Sequence, residues 1–172
     1  MQHVFIVGSK SLGAYGGYET FVNKLTEYHQ NHQDIKYHVA CKANGDGCMD
    51  ETTLDGVEQI NELEFIYHNA HCFKIPVPEI GAAQAIYYDI AALQYCCEYI
   101  KKHHIEHSIV YILACRIGPF AGYFKNSAAE SLMSKVIRES SRVALVIAGS
   151  SYLKLPKKNI DGTCIFYPFI LS

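Results

Sequence analysis

The sequence predicts an α/β fold with a central parallel sheet flanked by helices. A short apolar segment at residues 3–8 leads into a glycine-bearing loop and then into apolar residues at helical spacing from Gly17. An alternating segment at 35–41 follows about one helix later, which is the rhythm of a βαβ unit. A long helical period over 82–104 then precedes another apolar run at 108–114.

The first elements follow from apolar spacing and from glycine positions. The strand at 3–8 ends at Gly8, and the first helix runs from Gly17 to about Asn31 because apolar residues recur there at helical spacing. The second strand is expected at 35–41, and a polar, glycine-containing loop follows at 42–50.

The middle of the chain is expected to hold short strands and one long helix. Pro76 and Pro78 end regular structure, and the helical period over 82–104 begins after them. The run at 108–114 is typical of a buried strand. The short strands are expected at 57–60, 64–68 and 72–75, and later elements at 127–138 (helix) and 143–148 (parallel strand). No repeat or linker divides the chain, so one domain over 1–172 is predicted.

Size and composition fit one globular domain or one half of a larger enzyme. The chain has 172 residues, of which 49% are hydrophobic and 19% charged. A formal net charge of -2 leaves no basic footprint, so no nucleic-acid partner is expected. The seven cysteines are interpreted as reduced thiols, and no signal peptide or spanning run is visible. These features predict a cytoplasmic protein with at most peripheral membrane contact.

Four segments resemble one group of sugar-transferring enzymes. They read VGSKSLGAYGGYETFVNKLTEY, IKYHVAC, KIPVPEIGAAQAIYYDIAAL and VYILACRIGPF. They are similar to the N-terminal half of bacterial rhamnosyltransferases and related glycosyltransferases, two-domain enzymes of GT-B architecture in glycosyltransferase family four. The resemblance covers about residues 1–125. It implies a Rossmann-like, acceptor-side domain whose glycine-rich loop faces a cleft shared with a donor-binding domain.

The resemblance also implies a reaction. A hexosyl unit would move from a nucleotide diphosphate sugar, dTDP-rhamnose or a UDP-sugar, to a saccharide or lipid-linked glycan in cell-surface polysaccharide synthesis, with no further cofactor. The family pattern continues into an Asn-Pro-Asp-Gly-x-Glu-Trp motif, whereas this chain has no tryptophan and diverges over 126–172. We therefore expect a truncated or degraded half, without its donor-binding domain and inactive alone. The alternatives are a non-catalytic module that binds glycan or a partner, and a stand-alone nucleotide-binding protein.

The resemblance assigns the first candidate site to Gly16, Gly17, Tyr18 and Glu19, which match the family's Gly-Gly-aromatic-Glu element. The preceding loop is about one residue shorter than the family pattern and lacks its usual proline. Glycines before a helix expose backbone N–H groups to a ligand, or they only form a tight turn. The carboxylate of Glu19 either accepts a hydrogen bond from a sugar hydroxyl or stabilises the helix dipole.

Asp89 and Arg116 are the other candidates for substrate binding, and no residue is assigned as catalytic. Asp89 follows two tyrosines in the long helix, where a carboxylate orients an acceptor hydroxyl or serves as a base. A structural hydrogen bond is the interpretation we favour for it. Arg116 follows the strand at 108–114, at a strand end that suits a phosphate or a carboxylate ligand. A salt bridge to Glu19 or Asp89 is the alternative role of Arg116.

Other kinds of site are not expected. The spacings of Cys41, Cys48, His68, His71 and Cys72 match no standard zinc pattern. The chain has no Gly-x-Ser-x-Gly elbow of a hydrolase, and its glycine loop lacks the Gly-x-Gly-x-x-Gly spacing of dinucleotide-binding proteins. The nine histidines are expected to lie mostly on polar faces.

Overall fold

A computed structural model describes residues 1–106 and 108–113, together with the backbone of 142–144. These residues form a seven-stranded mixed sheet and two long helices. The strands are β1 Gln2–Val7, β2 Ile35–Lys42, β3 Glu58–Asn61, β4 Glu64–Tyr67, β5 Ala70–Ile75, β6 Ser108–Ile112 and β7 Arg142–Ala144, and the helices are α1 Gly17–Tyr28 and α2 Gln84–Lys102. The predicted α/β, Rossmann-like fold is confirmed.

The order of strands across the sheet is β3-β4-β5-β2-β1-β6-β7. The last five strands in this order are parallel, and β3 and β4 add an antiparallel hairpin beside β5. With β1 in the middle, the chain winds outward first through β2 and β5 and later through β6 and β7. This doubly wound arrangement changes direction between β1 and β6, and ligands of such sheets bind outside the carboxyl ends of the strands at that point.

Both faces of the central strands are buried. In β1, Phe5 and Val7 face the cluster under α2, whereas Ile6 faces the cluster that includes Val22 of α1. All four side chains are fully buried. A strand covered on both faces has no polar side, which explains the unbroken apolar run at residues 4–7 of β1.

Most predicted elements agree with the structure to within two residues, and α1 is the main exception. The helix ends at Tyr28 rather than near Asn31, and the His29 N–H closes its last turn on the Leu25 carbonyl. The backbone of 142–144 pairs in parallel with β6, as expected for a strand near 143–148.

Some expectations concern parts of the chain outside the described residues. The predicted helix at 127–138 lies there, and the single domain over 1–172 therefore stays a prediction. Within the described part of the chain, no helix has the length and apolar character needed to cross a bilayer.

Candidate functional site

Three loops meet at the carboxyl end of the parallel sheet. They follow β1, β2 and β5, which run in the same direction. The Lys42 N–H donates to the Lys10 carbonyl at 2.7 Å, which joins the first loop to the second. The Asn44 side chain holds the third loop, since its amide donates to the Val77 carbonyl at 2.9 Å and accepts from the Val77 N–H at 2.8 Å. These hydrogen bonds join the three loops into one continuous surface at the carboxyl end of the sheet.

Glu19 closes the glycine loop between β1 and α1. Its Oε1 accepts a hydrogen bond from the Lys10 N–H at 3.0 Å, so the first turn of the helix is tied to the start of the loop. A Cβ on Gly16 would collide with the same carboxylate. Because the φ of Gly16 is extended, this glycine leaves space for the Glu19 carboxylate in its hydrogen-bonded position and does not serve a special backbone conformation. The described contact of Glu19 is thus with the loop backbone.

The neighbours of Glu19 differ in exposure. Gly17 is exposed, and a Cβ added there would meet nothing within 4 Å. Tyr18 is half-buried and packs against the cluster on the α1 face of the sheet. The backbone of Gly17 is therefore accessible to solvent at the carboxyl end of the sheet, while the Tyr18 side chain contributes to the core on the α1 face. Contact of either residue with a substrate stays a prediction.

Asp89 lies inside the protein. Its side chain is on α2 and is 1% exposed, next to the buried Tyr88. The Tyr88 hydroxyl donates to the Ser9 carbonyl at 2.5 Å, so this part of α2 packs directly beneath the glycine loop. Such burial favours the structural role of Asp89 over contact with an acceptor sugar. Arg116 lies outside the described residues.

A pocket of about 170 Å³ opens beside the glycine loop. Lys42, at the end of β2, is 6% exposed, and its Nζ donates to the Asp46 carbonyl at 3.1 Å and to Gln84 Oε1 at 3.4 Å. Gly45 adopts a positive φ of 77°, and a Cβ there would come within 3.2 Å of this Nζ. The pocket lining includes Lys10, Lys42, Asp46, Gly81, Gln84 and Tyr88.

The pocket lysines are functional candidates that the sequence reasoning missed. Lys10 forms an ion pair with the exposed Asp46 carboxylate, with 3.4 Å between Nζ and Oδ2. A signal for Lys42 was present, because it is a charged residue directly after the apolar end of β2, where parallel sheets present ligand-binding groups. Its relation to Gln84, 42 residues further along, is not visible from spacing.

Three neighbouring histidines, of which His38 and His71 are buried and His3 is half-buried, form a row near the opposite end of the sheet. His3 Nδ1 lies 2.9 Å from His38 Nε2, and His38 Nδ1 lies 3.1 Å from His71 Nδ1. Burial, followed by the proximity of His71, lowers the pKa of His38 to about 2. Burial also lowers the pKa values of His3 and His71. These side chains are neutral near pH 7 and add no positive charge to the sheet.

The expectation of histidines on polar faces is wrong for His38 and His71, which are both buried. The cause is the alignment of β1, β2 and β5, which places Phe5 opposite His38 and His38 opposite His71. Both faces of these strands are covered, so a polar residue in them is not on a polar face. Among the described residues, no three His, Cys, Asp or Glu side chains are grouped so as to hold a metal ion.

The buried thiols belong to the core. Cys41 and Cys72 lie in the cluster on the α1 face of the sheet. Burial raises the pKa of the Cys41 thiol to about 12 and raises that of Cys72 well above its usual range. Neither thiol is therefore a thiolate near neutral pH, and their chemistry is that of small apolar side chains.

The sheet order defines a doubly wound α/β domain, and the loops and the pocket lie at the carboxyl ends of its strands, where sheets of this class bind ligands. Residues 1–138 match the family described as "Domain of unknown function (DUF1972)", and the chain belongs to this family. It is a domain found at the N-terminus of glycosyltransferase-like proteins. No curated protein matches the chain.

Proposed function

We propose that this chain is the acceptor-side domain of a glycosyltransferase of GT-B architecture, similar to rhamnosyltransferases. The observation that supports it best is the position of the Gly16–Glu19 element. It lies at the carboxyl end of β1, where a doubly wound sheet binds its ligands, in a family found at the N-terminus of glycosyltransferase-like proteins. The reaction would move a hexosyl unit from a nucleotide diphosphate sugar to a saccharide or lipid-linked glycan.

The geometry suggests how the domain would hold an acceptor. The hydrogen bond from the Lys10 N–H to Glu19 fastens the glycine loop, and the exposed backbone at Gly17 faces solvent. The exposed Gly17 is the first residue of α1, and backbone N–H groups at helix starts are suited to donate to sugar hydroxyls or to a leaving phosphate. A loop tied at both ends keeps these donors in place and so reduces the entropy lost on binding.

The donor side of the reaction requires a second domain in this architecture. Stabilisation of the leaving diphosphate would come mostly from that domain, and residues 1–172 alone would show negligible transfer. The proposed place of action is the cytoplasmic face of the cell membrane, with peripheral contact, because the acceptor would be a lipid-linked glycan.

Reconstitution tests this function. The purified chain is mixed with a separately expressed donor-binding domain from a glycosyltransferase that carries the same N-terminal family domain. Transfer of labelled sugar from dTDP-rhamnose and UDP-sugars to lipid-linked and free saccharides is then measured. We expect transfer by the mixture and none by either part alone.

Two results would contradict the proposal. Robust transfer by the 172-residue chain alone would show that no donor domain is needed. Retained glycan binding without transfer in any mixture would favour a non-catalytic binding module.

A further inference from the structure

We propose that the pocket between Lys10, Lys42 and the start of α2 is an oxyanion site that takes a phosphate group. The site is a property of the described side chains and does not require sugar transfer. Only the identity of the phosphate-bearing ligand rests on the proposed function. That ligand would be a nucleotide diphosphate sugar or a lipid-linked diphosphate saccharide.

The first argument is the environment of Lys42. Its ammonium group is buried, yet its hydrogen-bond acceptors are a carbonyl and a side-chain amide, both neutral. Within residues 1–106 and 108–113, no carboxylate forms an ion pair with it. A buried charge is costly unless it is paired. An arriving anion would supply the missing counter-charge.

The second argument is the balance of charge around the pocket. Lys10 and Lys42 contribute two positive charges, and Asp46 contributes one negative charge. The Asp46 carboxylate is almost fully exposed and contacts Lys10, while its backbone carbonyl faces Lys42. An exposed ion pair of this kind contributes little energy, so Lys10 can turn toward a ligand at small cost.

The third argument is the helix start that faces the lysines. A short 3-10 turn at Gly81–Ala83 leads directly into the 19-residue α2, and neither start is capped by a side chain. Gly81 and Ala82 line the pocket. N–H groups at the start of a helix, together with the helix dipole, favour an anion. The buried ammonium and this helix start approach the pocket from different elements.

Pocket size decides what kind of group fits. A volume of about 170 Å³ is below the roughly 300–1,000 Å³ of sites that enclose a whole small molecule. A single phosphate group matches this space better than a complete nucleotide sugar. Lysine ammonium groups bind phosphate as point charges. The rest of the ligand would lie outside the pocket, over the glycine loop.

An internal counter-ion gives the sharpest test. Gln84→Glu places a carboxylate next to the Lys42 ammonium without changing the shape of the side chain. The matched control is Gln94→Glu, an exposed position on the same helix about 15 Å away by helical rise, which changes the net charge equally. Binding of inorganic phosphate and pyrophosphate to the full chain is measured by calorimetry at low ionic strength, since salt screens such contacts.

We expect Gln84→Glu to weaken pyrophosphate binding by at least about tenfold, the range of a charge-assisted hydrogen bond, and Gln94→Glu to change it less than about twofold. Thermal unfolding of Gln84→Glu should occur no lower than that of the unmodified chain, because the buried ammonium gains a partner. Equal affinity of the two variants, or no measurable binding by the unmodified chain, would overturn the site.

Lysine variants give a second measure. Lys42→Met and Lys10→Met should each weaken pyrophosphate binding, whereas Lys24→Met, at an exposed position on α1 with the same loss of charge, should not. Circular dichroism checks that each variant folds. If Lys42→Met does not fold, the comparison of Gln84→Glu with Gln94→Glu tests the site instead. Unchanged binding by both folded pocket variants would refute the assignment.

The source of the phosphate is found by competition. UDP and a short prenyl diphosphate are titrated against bound pyrophosphate, and tighter binding of either one supports the site and identifies its carrier. Anion binding without transfer in the reconstituted mixture would refute the proposed function and leave the site standing. Transfer by the mixture without anion binding in the pocket would refute the phosphate site and support the proposed function.

Discussion

The Glu19 carboxylate and the Lys10 backbone N–H are joined by a hydrogen bond of 3.0 Å across the glycine loop. Glu19 therefore has a structural role in the loop, whereas the family resemblance implies that it binds the substrate. This contact also explains Gly16, whose missing side chain leaves room for the carboxylate. The loop geometry therefore depends on Glu19 whether or not a sugar is bound.

Removing the carboxylate should loosen the loop. We expect Glu19→Ala to lower the free energy of unfolding by about 1 kcal/mol, because the Lys10 N–H loses its acceptor. Glu19→Gln keeps an oxygen in the same place and should cost clearly less. Urea unfolding followed by circular dichroism measures both. Equal stability of Glu19→Ala and the unmodified chain would contradict the clamp role.

Gly16 and Glu19 should be energetically coupled. We expect Gly16→Ala to destabilise the chain because its Cβ would collide with the Glu19 carboxylate. The same change in a Glu19→Ala background should cost less, with a coupling energy of about 0.5–3 kcal/mol in a double-mutant cycle. Gly17→Ala, with open space around its Cβ, is the control. Additive effects of the two changes would show that they do not interact.

Tyr88 should support the glycine loop from below. Tyr88→Phe removes the donor to the Ser9 carbonyl within a buried site, and we expect a loss of about 1 kcal/mol in the free energy of unfolding. Tyr87→Phe is the matched control, since its side chain is 44% exposed. A Tyr88→Phe variant as stable as the control would refute this support.

Acid should destabilise the chain through the buried histidines. The pKa of His38 is about 2 in the folded chain and near 6.5 when unfolded, so the unfolded state binds more protons at intermediate pH. The contribution of His38 to the free energy of unfolding is therefore fully present above pH 6.5. It falls as the pH drops toward 2, by up to about 1.4 kcal/mol per pH unit for one such group. The pKa values of His3 and His71, lowered by burial, act in the same direction.

The measurement is the free energy of unfolding between pH 5 and 6.5. We expect His38→Asn to flatten its pH dependence, whatever its effect on absolute stability. Gln30→Asn, at an exposed position without a titratable side chain, should leave the slope unchanged. An unaltered slope in His38→Asn would mean that this histidine does not titrate between the two states as proposed.

Local sequence patterns were sufficient for the elements and for the class of fold. The apolar run of β1 and the helical period of α2 predict their elements because a strand covered on both faces and an amphipathic helix each require such patterns. The Gly-Gly-Tyr-Glu segment also indicates a helix start after a loop. Spacing of this kind depends only on neighbours along the chain, so it can be read without knowing the partners of each element.

Contacts between distant residues emerged only from the folded chain. The burial of His38 depends on the alignment of β1, β2 and β5, and the Lys42 pocket depends on α2 beginning beside the end of β2. Glu19 faces the Lys10 backbone because the loop folds back on the helix. Pairings like these are set by strand register and by the packing of helices on the sheet. The side-chain pattern along one segment therefore predicts whether that segment is a helix or a strand. The environment of each charged group is decided by the residues that pack against it in the folded chain.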